Sequence, residues 1–96
     1  MTKQEALRVI DQQAATFTAV SDEIWGYAEL SLQEHRSAAC LKRALEQAGF
    51  AVTTGLCGVE TAVVGSFGAG HPVIGILGEY DALSGLSQQN GVAERC

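Results

Sequence analysis

Basic residues are few. Six Lys and Arg stand against eleven Asp and Glu, a formal net charge of −5, and they are scattered at Lys3, Arg8, Arg36, Lys42, Arg43 and Arg95. No basic face forms from such a scatter, so no nucleic acid is expected as a partner. Long apolar runs are lacking too: the longest, residues 72–78, falls far below the roughly 20 residues of a membrane helix. No membrane partner is expected. The opening Met-Thr-Lys-Gln-Glu-Ala has no apolar signal core and carries an acid early, which makes a cytoplasmic location the expectation.

Cysteine is sparse and odd in number. Cys40, Cys57 and Cys96 are widely spaced, which does not match the disulfide framework of a small secreted domain. Reduced thiols are expected, with Cys40 inside a helix and Cys57 beside a glycine turn serving as small buried or semi-buried apolar filler. No Cys-x-x-Cys and no His-Glu-x-x-His occurs. His35 and Cys40 are five apart on a predicted helix and so face different ways, and His71 lies in a glycine loop. A metal site built from these residues alone is not expected. Ser84 and Ser87 have no histidine at a telling position, which leaves a serine nucleophile without support. The glycine-rich Gly65-Ser-Phe-Gly-Ala-Gly70 precedes a strand, where a phosphate-binding loop follows one, and reads as a hairpin turn. No internal repeat or low-complexity tract is present.

What remains is a globular balance, 47% hydrophobic and 18% charged. Ninety-six residues make one domain at most, with a thin stability margin because a short chain buries a small share of its surface. Thr2-Lys-Gln-Glu5 is a capping box. The helical recurrence of Leu7, Ile10, Ala14, Phe17, Ile24 and Ala28 predicts one long helix from Thr2 to the late twenties, bent near Ser21 or Gly26. Phe17, Trp25 and Tyr27 on it read as core. Ser31-Leu-Gln-Glu34 is a second capping box, opening a helix with the stripe Ala38, Leu41, Leu45 and Ala48. Gly49 ends it, with Phe50 placed for a Schellman contact with Leu45.

From Phe50 the period changes to two. Phe50, Val52 and Thr54 alternate with Ala51 and Thr53 as in a half-buried strand, and Cys57-Gly58 makes a turn. Residues 60–67 read as a second strand, 68–72 as a loop, and 73–77, apolar on both faces, as a third strand suited to a sheet interior. The fold class is α/β: two N-terminal helices followed by about three strands.

Glu79 and Asp81 follow that third strand directly and flank Tyr80. Two residues apart in extended backbone, they point the same way. Carboxylates so placed can bind a metal, orient a histidine ligand or act as a base. They can equally be solvated acids at a strand end, with Asp81 capping a turn near Leu83, and spacing alone favours that plainer reading.

Gly78-Glu-Tyr-Asp-Ala-Leu83, continued as Ser-Gly-Leu-Ser-Gln-Gln89, resembles the signature of the aminoacylase-type dinuclear metal amidohydrolases, within the p-aminobenzoyl-glutamate hydrolase branch. Further matches lie in order upstream: Ile24-Trp25, Ala28-Glu-Leu-Ser-Leu-Gln-Glu34, Leu45-Glu-Gln-Ala-Gly-Phe50 and Gly58-Val-Glu-Thr-Ala62. The resemblance implies a metallopeptidase-like (phosphorylase/hydrolase-like) catalytic domain, of which residues 1–96 are the N-terminal segment, a single partial domain without the metal-ligand region and the inserted dimerisation domain. It further implies hydrolysis of an amide bond to an amino acid, of the p-aminobenzoyl-glutamate or N-acyl amino acid class. Two divalent metals, zinc or manganese, would serve the full-length family by polarising the carbonyl and activating water.

By the same resemblance, Asp81 supports a metal-binding histidine from behind, and Glu79 stands where many relatives carry a histidine ligand. This branch takes its early ligands from a downstream Cys-Gly-His segment. Cys96 is not that cysteine, since neither glycine nor histidine follows it. The chain by itself is therefore expected to bind no metal and to be inactive. The small-molecule amide substrate belongs to the full-length family, and assembly as a homo- or hetero-oligomer is implied. Two alternatives stand beside it: a non-enzymatic interaction module that pairs with a full-length hydrolase, and a non-functional truncated reading frame.

Overall fold

The Thr2 hydroxyl accepts from the Glu5 amide at 3.2 Å while the Glu5 carboxylate accepts from the Thr2 amide at 3.0 Å. That reciprocal pair satisfies two free donors and starts α1, Lys3–Gln12. The computed structural model describes residues 1–85 and 90–94; Ser87 and Cys96 lie outside the described residues. The predicted single long helix is two helices. Gln13, at φ −96° and ψ 5°, leaves helical geometry and begins α2, Ala14–Tyr27. The joint is at Gln13, not at Ser21 or Gly26, and no local breaker explains it. Both helices carry exposed apolar side chains. Phe17 and Trp25, read as core, are exposed, and Tyr27 is half-buried.

The helix α3, His35–Gln47, also begins differently from the expected capping box. Glu34 is its N-cap, which puts Ser31 too far upstream to cap. The Glu34 carboxylate instead accepts from the Leu32 amide at 2.7 Å, closing a tight turn before the helix. The end of α3 follows the expectation: Phe50 N–H donates to the Leu45 carbonyl at 3.0 Å and Gly49 N–H to the Glu46 carbonyl at 3.0 Å. Gly49 takes φ +93°, the left-handed conformation that this Schellman motif requires.

Strands β1 (Ala51–Thr54) and β2 (Val63–Ser66) form a two-stranded antiparallel sheet, with Ala51 opposite Ser66 and Thr54 opposite Val63. Residues 55–62 connect them through a short 3-10 turn at Leu56–Gly58. The hairpin connection is therefore here, and not at residues 65–70: Gly65 lies within β2 and is packed. A Cβ on Gly65 would stand 3.1 Å from Leu45 Cδ1 and 3.3 Å from Phe50 Cδ2, so glycine lets α3 approach the sheet. Phe50 and Phe67 add a tilted ring pair with centroids 5.2 Å apart. Cys57 is exposed at φ +53°, which corrects its reading as filler.

Residues 73–77, expected as the third strand, form no strand among the described residues. The mixed helix-and-sheet character of the chain holds, with three helices and two strands among those residues. Ala38 and Cys40 are the buried apolar side chains among the described residues, joined by buried Glu34, Ser37 and Thr61. The core thus gathers around the first half of α3. Among the described residues no helix is long and apolar enough to cross a membrane.

Candidate functional site

The residue that organises the molecule next to Asp81 is Glu29. Between α2 and α3 the backbone enters the left-handed region at two residues that are not glycine, Ala28 (φ 47°) and Leu32 (φ 68°). Each such excursion costs about 1–2 kcal/mol. What it achieves is to aim Glu29 at the start of α3: its Oε1 accepts from the Ser37 amide at 2.7 Å and its Oε2 from the Arg36 amide at 3.1 Å. These amides have no partner inside the helix, and the helix dipole there favours an anion. The Arg36 guanidinium stands 3.5 Å from the same carboxylate.

Burial works to raise the Glu29 carboxyl, but the Ser37 and Arg36 donors together outweigh it and hold it down at about 2. Glu29 therefore stays ionised through ordinary pH. The Ser37 hydroxyl, fully buried, makes no hydrogen bond of normal geometry among the described residues, yet it stands near enough to favour the charged form of Glu29.

The main chain of Glu29 faces the predicted acidic turn. Its carbonyl accepts from the Ala82 amide at 2.8 Å, and Leu30 pairs with Ala82 as an isolated parallel bridge. One residue on the other side of Asp81, the Tyr80 hydroxyl donates to the Thr61 carbonyl. Burial, then the Glu34 and Glu29 carboxylates, push the Tyr80 phenol above its ordinary value. Asp81 is thus tethered on both flanks while its own side chain is exposed.

Two clefts meet at this turn. A cleft of about 500 Å³ has an apolar wall from Ile24, Trp25, Ala28 and Leu30 and is closed by residues 80–85. A second, of about 390 Å³, has Glu34, Thr61, Glu79 and Asp81 on its walls. Asp81 borders both clefts, whereas Glu79 borders the second alone. Neither carboxylate makes a hydrogen bond or ion pair among the described residues, and Asp81 caps no turn there.

For a divalent metal the described residues are a poor match. No group of three His, Cys, Asp or Glu side chains converges among them so as to hold a cation. His35 and His71 are exposed and border neither cleft. The carboxylates at this turn do not make up a dinuclear centre by themselves.

Cys40 is the buried filler that its helical position predicted. Burial, reinforced by the nearby Glu23 carboxylate, lifts its thiol to about 11, so it is a protonated, unreactive side chain. Glu23 belongs to a surface network joining α2 to α3. Its Oε2 accepts from Arg43 Nη2 at 2.9 Å and from the Tyr27 hydroxyl at 2.9 Å, and the Arg36 guanidinium sits 4.5 Å over the Tyr27 ring.

Reading the sequence for pairs of acids missed Glu29, because its partners are amides seven and eight residues downstream and no local motif has that spacing. Its presence in the Ala28–Glu34 match was the available signal. Tyr80 was seen only as the spacer between two acids, although its hydroxyl is what fixes the turn.

The chain is similar to a p-aminobenzoyl-glutamate hydrolase subunit of Escherichia coli (strain K12), with 46% identity over 95 residues. That similarity covers 95% of this chain and 20% of the relative, so the chain spans about a fifth of the length of the protein it matches. No family model matches the chain, and no solved structure matches it.

Proposed function

We propose that this chain is one part of the catalytic domain of a metal-dependent amidohydrolase. The unit cleaves the amide bond between an acyl group and an amino acid, of the p-aminobenzoyl-glutamate class, in the cytoplasm. The observation that supports the reading is 46% identity running through 95% of the chain. The tethered Asp81 turn is compatible with it: a carboxylate held on both flanks, exposed at the lip of a cleft, is suited to accept a hydrogen bond from a histidine of the completing polypeptide and fix its orientation. Asp81 is then a positioning residue. Glu79, on the second cleft only, has the lesser role. Zinc or manganese would be held by groups outside the described residues.

Because no cation-holding group assembles among the described residues, the purified chain should leave p-aminobenzoyl-glutamate intact even with added zinc or manganese. Release of p-aminobenzoate that stops on chelation would contradict this. Co-expression with a polypeptide spanning the remainder of the E. coli subunit should restore hydrolysis, and D81N should lower it by roughly 10–100-fold. Equal rates for D81N and the unsubstituted chain would remove Asp81 from the mechanism. A second reading, a non-enzymatic module that binds a hydrolase subunit, draws on the exposed apolar side chains of residues 73–77.

A further inference from the structure

Two carboxylates tie the α2 side of the molecule to α3, and they differ in what else they hold. Glu23 reaches α3 through a side chain, accepting from Arg43 Nη2 at 2.9 Å, and its main chain lies inside α2. Glu29 reaches it through backbone: Oε1 accepts from the Ser37 amide at 2.7 Å and Oε2 from the Arg36 amide at 3.1 Å. Its own carbonyl accepts from the Ala82 amide at 2.8 Å. One residue thus grips the first turn of α3 with its side chain and the acidic turn with its main chain, whereas Glu23 makes no bond to residues 78–85 among the described residues.

The Asp81 carboxylate makes no hydrogen bond or ion pair of its own among the described residues, so its direction is set by its flanks. One flank is a side chain, the Tyr80 hydroxyl on the Thr61 carbonyl. The other is the backbone bond from Ala82, directly adjacent to Asp81, and it ends on Glu29. Peptide planarity ties that carbonyl to the backbone of residues 29 and 30. Ala28 and Leu32 bracket this backbone at φ 47° and 68°, conformations that a residue other than glycine keeps only where its surroundings enforce them. The Glu34 carboxylate holds the second, accepting from the Leu32 amide at 2.7 Å, and the Glu29 carboxylate, anchored on α3, holds the first. A glutamine at 29 would keep one acceptor and set an amide donor against the other N–H. The grip would be halved.

We propose that Glu29 is a positioning residue for Asp81, acting through its own carbonyl: the carboxylate, fixed on the first turn of α3, sets the peptide that holds Ala82 and with it the direction of the Asp81 side chain. This rests on the reading of Asp81 as the residue that orients a histidine of the completing polypeptide. It adds the part of the chain that orients Asp81. A cap of α3 that held nothing else would matter to stability alone, but the bond to Ala82 makes Glu29 matter to turnover as well. Glu29 touches no reacting atom in this scheme, so its loss acts on kcat through Asp81 and leaves substrate binding unchanged.

The test compares E29Q with E23Q, first in the full 96-residue chain by hydrogen exchange at Ala82, then in the unit formed by co-expression with the polypeptide spanning the remainder of the E. coli subunit. E29Q should speed exchange of the Ala82 amide by roughly 10-fold or more while the circular dichroism of the chain is kept. E23Q should leave that amide at the unsubstituted rate. In the unit, E29Q should lower kcat by roughly 10-fold with KM unchanged, E23Q should leave kcat as it is, and E29Q/D81N should be no slower than D81N. E29D keeps the charge but falls one methylene short of both amides. It should move Ala82 and kcat in the same direction by less, and it takes the place of E29Q if that variant unfolds. An Ala82 amide unchanged in a folded variant, losses that multiply in E29Q/D81N, or an equal fall in kcat for E23Q would overturn the proposal and reduce Glu29 to a cap of α3. An unsubstituted unit that does not hydrolyse p-aminobenzoyl-glutamate would count against the proposed activity, and Ala82 would still decide the tether: faster exchange in E29Q supports it, an unchanged rate overturns it.

Discussion

Helix α3 and residues 73–77 both carry apolar stripes and meet opposite fates. Around α3 every end is closed: Glu29 satisfies amides at its start, a Schellman motif satisfies carbonyls at its end, and Gly65 admits Leu45 against the sheet. Along 73–77 there is neither a backbone partner nor a packed face among the described residues. A helix completes its hydrogen bonds within its own segment, while a strand completes them only with another segment. The contrast separates a segment that completes its own hydrogen bonds from one that does not among the described residues.

The packed side of the comparison is broken most severely by G65V. Its first carbon would sit 3.1 Å from Leu45 Cδ1, and overfilling a packed contact costs about 1–3 kcal/mol. Urea unfolding should show a lower midpoint with an unchanged slope. An unchanged midpoint would show that Leu45 yields freely and that the α3–sheet contact is loose.

E29A comes next. Removing a cap from a helix start costs about 0.5–2 kcal/mol, and here two amides lose one acceptor group. The pH dependence sharpens the test. Glu29 has its folded value depressed to about 2 from an ordinary 4.5, so its contribution is fully present above the ordinary value and fades as pH falls toward the depressed one. Stability should decline on acidification from about pH 5 to pH 2, and E29Q should flatten that part of the profile. Identical profiles for E29Q and the unsubstituted chain would mean that the carboxylate does not cap α3.

The smallest effect belongs to the open side. I76D alters a side chain that is 97% exposed, so the free chain should keep its stability within about 0.5 kcal/mol. A larger loss in thermal melts would show that residues 73–77 are packed in the free chain, and the contrast between the two regions would collapse.

Legibility in the sequence followed the range of the interactions. The α1 cap and the α3 stop were readable because every partner lies within five residues. The second capping box misled because Ser31 and Glu34 have the right spacing while Leu32, at φ 68°, turns the chain before the helix begins. The acidic turn was legible as a pair of carboxylates, and both do border one cleft. Its anchoring was not, since Tyr80 reaches Thr61 across nineteen residues and Ala82 meets Glu29 through backbone groups that carry no sequence signature.

Composition and periodicity by themselves determined the order of helices before strands, the stop at Gly49, and the placing of Glu79 and Asp81 directly after an apolar run, because each depends on neighbours close along the chain. Tertiary structure alone decided the joint at Gln13, the assignment of Glu29 as the cap of α3, the tethering of Asp81 from both sides and the exposure of residues 73–77. Those depend on groups far apart in sequence or, for the last, on a sheet that these residues do not make, and no local pattern encodes a partner that distant.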